Sequence, residues 1–166
     1  MVKRINIINT KTFAISMDNT IAWIGYEYMD HSAISDIIKG FGINVDTEMK
    51  HAYTALRKIT EQQYPLIIIN DVLAVGLEND QPSTFFEDKC DIDNYPKISA
   101  LTIEEIRKIP QYKSTPIIAI GAFLPQYTPR ELYLKAGATT IFDVNNENDT
   151  RGALERLIKK YLLQTV

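Results

Sequence analysis

Tyr64-Pro65-Leu66-Ile67-Ile68-Ile69-Asn70-Asp71-Val72-Leu73-Ala74-Val75-Gly76 is the stretch whose reading decides the fold. One leucine and three isoleucines run without a polar interruption and stop at an acid. The run is too short to cross a membrane and too rich in β-branched side chains to favour a helix. It therefore reads as a central parallel strand, buried on both faces. Asp71 then falls at the carboxyl end of that strand, where open α/β sheets place their functional groups.

Working upstream, Ala52, Tyr53, Leu56 and Ile59 repeat at helical spacing up to Gln63 and deliver the chain to Pro65. Ile43-Asn44-Val45 reads as a short strand before that helix. Ala33, Ile34, Ile37 and Ile38 form the apolar face of an earlier helix from about Ser32 to Lys39, stopped by Gly40 or Gly42. Ile21-Ala22-Trp23-Ile24, followed by Gly25-Tyr26-Glu27, is the first core strand. Arg4–Asn9 and Thr12–Met17 have hairpin spacing, which predicts an N-terminal extension over residues 1–20.

Downstream, periodicity fails over residues 77–99, where Phe85, Phe86, Cys90 and Tyr95 are scattered among acids. This predicts an acidic insertion loop with aromatic anchors, of a length that in compact domains is usually functional or disordered. A helix from about Leu101 to Ile109 follows, and Pro116-Ile117-Ile118-Ala119-Ile120 is a second buried strand closed by Gly121-Ala122. Thr128-Pro129-Arg130-Glu131 has the order of cap, first-turn proline and capping-box acid for a helix that stops at Gly137. Thr139–Val144 is the last strand, and a final amphipathic helix starts near Thr150 with Leu154, Leu157, Ile158, Tyr161 and Leu162 inward. Such alternation calls for a parallel sheet covered on both faces, with right-handed crossovers.

At 166 residues the chain suits a single domain over 1–166. With 45% hydrophobic and 23% charged residues it has a globular composition, which disfavours disorder, collagen-like repeats and coiled coil. A net charge of −3 supplies no cationic excess for phosphates, so neither nucleic acid nor a membrane is an expected partner. The lone Cys90 forms no internal disulfide and no charged-then-apolar leader opens the chain, which makes a reducing cytoplasm the expected setting.

Three stretches together resemble the receiver domain of two-component response regulators. Pro65–Gly76 is similar to the family's phosphoacceptor strand and loop. Ile106-Arg107-Lys108 with Ser114–Ala122 is similar to its third helix and fourth strand, and Lys135-Ala136-Gly137-Ala138-Thr139-Thr140-Ile141-Phe142 to its approach to the fifth strand. The resemblance spans about Ile21 to Leu163. It implies a flavodoxin-like three-layer sandwich with sheet order 2-1-3-4-5, and it puts Asp71 at the phosphoacceptor position.

The family's chemistry needs two acids after the first strand for a metal, a hydroxyl after the fourth strand and a lysine after the fifth. This chain has Gly25 and Tyr26 at the metal position, with Glu27 the only neighbouring carboxylate; a register with Ile5–Ile8 as first strand offers Asn9 and Thr10 instead. Gly121 stands at the hydroxyl position, Val144 at the lysine position, and Asn145 where a proline usually follows. Phosphoryl transfer rests on electrostatic stabilisation of phosphoryl oxygens, and Mg²⁺ is held by carboxylates. One carboxylate facing a valine and a glycine supplies neither. The expected type is a degenerate pseudo-receiver with no catalytic residue, metal or cofactor, acting by contact with another signalling protein or a second copy of itself. The alternatives are a response regulator still phosphorylated on Asp71 and a flavodoxin-like ligand-binding or enzyme domain.

Other residues have plainer readings. Asp91-Ile92-Asp93 lacks the glycine and distal glutamate of a calcium loop. His31, His51 and Cys90 do not stand at metal-ligand or nucleophile spacing, no glycine-rich phosphate cradle occurs, and Trp23 reads as core.

Overall fold

The computed structural model describes residues 20–25, 38, 40, 42–78, 81–82, 94–146 and 148–163. The expected N-terminal hairpin lies outside the described residues, as do most of the helix expected over about 32–39 and most of the acidic loop.

Strands β1 (Thr20–Ile24), β2 (Asn44–Met49), β3 (Ile67–Asn70), β4 (Ile117–Gly121) and β5 (Thr140–Asp143) form one sheet in the order β2-β1-β3-β4-β5. Every neighbouring pair is parallel, with Ile67 opposite Ile117 and Ile69 opposite Ala119. The expected order 2-1-3-4-5 and the central place of the Ile67–Asn70 strand are both present.

The isoleucine run explains why the sheet has two covered faces. Side chains alternate across a strand, so Ile67 and Ile69 enter one core and Ile68 the other. The first core includes Ala52, Ala55 and Ile59 from α1 (Ala52–Glu61), Ile98, Ile103 and Ile106 from α2 (Tyr95–Lys108), and Tyr133 from α3 (Arg130–Ala136). The second contains Ile38 and, from α4 (Thr150–Leu163), Leu154 and Ile158. No described helix is long and apolar enough to cross a membrane.

Three local expectations need correction. β2 continues to Met49 rather than stopping at Val45, because an edge strand tolerates charge. Asp46 and Glu48 are both paired there with Lys58 of α1. Helix α2 starts at Tyr95, not Leu101: the Asn94 side chain accepts the Lys97 amide at 3.3 Å and Pro96 sits in the first turn, where its missing N–H costs nothing. The last part of the expected loop, 95–99, is therefore helix. Its first part carries a short antiparallel hairpin, Leu77–Glu78 against Gln81–Pro82. Finally, Thr128 does not cap α3. Its hydroxyl accepts the Leu124 amide at 2.8 Å and donates to the Ala122 carbonyl at 3.2 Å, closing the turn before the helix.

Candidate functional site

The carboxyl ends of β1, β3 and β4 open into a cleft of about 480 Å³, lined by Trp23, Asn70, Asp71, Val72, Leu124 and Tyr127 among others. Its position follows from the sheet: β1 and β3 are neighbours where the strand order reverses, and open α/β sheets form a crevice at the carboxyl ends of the strands there. The loop after β3 is tied down on the far side by α1, whose first amides at Ala52 and Tyr53 donate to the carbonyls of Ala74 and Val75 at 3.0 Å. Those orphan helix donors thereby hold the loop that begins at Asp71.

Asp71 is fixed from three directions. Its amide donates to Ile120 O at 2.8 Å, its carbonyl accepts the buried Tyr133 hydroxyl, and its carboxylate accepts the amides of Ala122 and Val72. A Cβ built on Gly121 would lie 1.9 Å from Asp71 Cγ and 2.2 Å from its Oδ1. The carboxylate thus rests in the space that any side chain at 121 would need. Burial pushes its pKa above the ordinary 3.8. Hydrogen bonding from its own backbone amide and from those of Ala122 and Val72 offsets this in part, and the negative charge of Asp143 adds to it.

A second glycine shapes the other wall. Gly25 has φ +135°, and a Cβ there would fall 2.6 Å from Asn70 Cγ. Asn70 Oδ1 accepts the Trp23 indole N–H at 3.2 Å. Trp23 is buried, as expected of a core residue, and also forms part of the cleft wall. On the β5 side Val144 lines the cleft. Beside it the buried Asp143 is ion-paired with Arg130 and accepts Asn145 N and Asn146 Nδ2, each at 3.0 Å.

Solved structures share this architecture. The receiver domain of the sensor histidine kinase PA1611 from Pseudomonas aeruginosa PAO1, which has a magnesium ion coordinated in its active site cleft, matches with a TM-score of 0.59. The match has 18% identity and covers 86% of this chain and 95% of that one. A two-component response regulator from Clostridium difficile matches with a TM-score of 0.61 at 15% identity, over 88% of this chain and 97% of its own. The chemotaxis protein CheY4 from Vibrio cholerae gives 0.57 at 15% identity, over 86% and 97%.

The fold is the receiver fold. No family model matches the chain, and no curated protein sequence does.

The receiver fold brings Asp71, Gly25, Gly121 and Val144 to one end of the sheet, with all but Gly25 lining the cleft; Tyr26 and Glu27 lie outside the described residues. Among the described residues the donor set does not fit a divalent cation. Gly25 has no side chain, and the neighbouring space is filled by the Asn70 amide. The nearby carboxylate of Asp143 is committed to Arg130 and two asparagines. Among the described residues no group of three His, Cys, Asp or Glu stands ready to hold a metal ion.

Reading the sequence missed Asn70, Leu124, Tyr127 and Thr128 as parts of the site. The usable signal was Leu124 and Tyr127, large side chains just past the end of a buried strand, at the sheet edge where α/β proteins bind ligands.

Proposed function

We propose that the chain is a pseudo-receiver: a cytoplasmic signalling module that acts by binding another protein, without catalysis and without phosphorylation of Asp71. The observation that carries this reading is the Asp71–Gly121 contact. A receiver needs a hydroxyl at that position to meet the phosphoryl group; here there is no hydroxyl, and the carboxylate itself occupies the space. Val144 in the place of a lysine removes the cation that would balance phosphoryl charge. What is left is an α/β layer that would recognise its partner through α4 and β5 or through the added segment 77–99.

The test is incubation with Mg²⁺ and acetyl phosphate, followed by intact mass. The reading expects an unmodified chain. A phosphate adduct that disappears in Asp71→Asn would replace it with that of an atypical but phosphorylated response regulator.

A further inference from the structure

We propose that the cleft binds a small organic cation, with an ammonium head at Asp71 and an aromatic or branched aliphatic body against Trp23, Val72, Leu124 and Tyr127. Such a ligand goes beyond a phosphorylation-independent protein contact and does not depend on it.

Size is the first support. About 480 Å³ falls within the range of small-molecule sites, roughly 300–1,000 Å³. The second is the wall. Val72, Leu124 and Tyr127 remain 36%, 44% and 69% exposed, so large apolar side chains surround the opening without being covered by the described fold. A local apolar patch of this kind, rimmed around a concavity, marks a binding site more often than a scattered surface leucine does.

The third support is charge. Among the described residues Asp71 is the only carboxylate in the wall, and no lysine, arginine or histidine lines it. The other polar side chains are already engaged, Asn70 by Trp23 and Thr128 by its own turn. A half-buried carboxylate held by backbone amides alone, with no cation lining the cleft among the described residues, is incompletely compensated, and Asp143 on the β5 side adds repulsion. An incoming ammonium would supply the missing charge, while an anion would meet the Asp71 carboxylate. Trp23 and Tyr127 offer aromatic surface that also favours a cation.

Trp23 is the only tryptophan in the chain, so its fluorescence reports the cleft directly. The probes are phenethylammonium, its neutral isostere 2-phenylethanol and the anion phenylacetate, titrated into the full chain at pH 7. The expected result is a dissociation constant for the ammonium about tenfold or more below that of the alcohol, a difference of about 1.4 kcal/mol, with the anion weakest. In Asp71→Asn the ammonium should lose that advantage while the alcohol is unchanged, and Leu124→Ala should weaken both alike. The comparison of the three probes on the native chain stands even if a variant fails to fold. Equal binding of ammonium and alcohol, tighter binding of phenylacetate, or no response of Trp23 to any probe would overturn the proposal.

Discussion

Two aspartates at strands of the same sheet have been treated oppositely by the fold. Asp46, on β2, has a side chain only 10% exposed and is surrounded by donors. Tyr64 OH donates to its Oδ2 at 2.6 Å, Lys58 Nζ to its Oδ1 at 2.9 Å, and the Glu48 amide to Oδ1 at 3.1 Å. Burial would raise its pKa, but those bonds outweigh burial and hold the carboxyl below 3.8. Asp71, at the end of β3, receives backbone amides alone, and burial holds it above 3.8. The first acid is a finished structural device that fastens an edge strand to α1. The second carries an unbalanced charge into a cleft, which natural folds tolerate mainly where a ligand or reaction uses it.

The sharpest break of this comparison is steric. Gly121→Ala places a methyl group inside the Asp71 carboxylate, and overpacking of this kind costs about 3 kcal/mol. Urea unfolding of the single variant and of Gly121→Ala with Asp71→Ala should show most of that loss recovered in the double variant, because the clashing atoms are gone. Additive losses would mean that the tight contact lies elsewhere.

Next in size is the paired acid. Lys58→Met strips Asp46 of its cation while keeping the aliphatic packing, and should cost about 2 kcal/mol, less than for a fully buried pair because Lys58 is partly exposed. The smallest effect, and one of opposite sign, belongs to Asp71→Asn, which should raise the unfolding midpoint at pH 7.

The two acids also bend the pH profile in opposite directions. Asp46, with its folded pKa depressed, contributes stability that is present above 3.8 and lost as pH falls through the folded value. Asp71, with its folded pKa raised, contributes stability that is present below 3.8 and lost as pH rises through the folded value. The gain from Asp71→Asn should therefore vanish in acid, where both forms are neutral. Thermal melts from acid to neutral pH check this, and a gain that persists in acid would assign it to packing.

Much of the fold was readable because Ile67, Ile68 and Ile69 state both strand type and two-sided burial without tertiary information. The positions of Asp71, Gly121 and Val144 followed from their places after the apolar strands. What could not be read was how those positions meet. That Asp71 rests on Gly121, or that Asn70 fills the space beside Gly25, depends on the relative register of β1, β3 and β4. Pro96 read as a loop residue because a proline breaks a helix interior, and only the Asn94 cap reveals it as a first-turn residue. Asp46 and Glu48 lie beyond the strand expected over Ile43–Val45 because their compensation comes from Lys58, on another element. The hydroxyl of Thr128 had two local uses, cap or turn, and the chain direction after Leu124 selects the turn.

The contrast between the two acids is tested most directly by titrating their carboxyl carbons by NMR, with Asp46→Asn and Asp71→Asn used for assignment. The account predicts that Asp46 titrates below 3.8 and Asp71 above it. An Asp71 midpoint at or below that of Asp46 would show that the cleft already balances its charge, and would contradict both the uncompensated carboxylate and the cation site built on it.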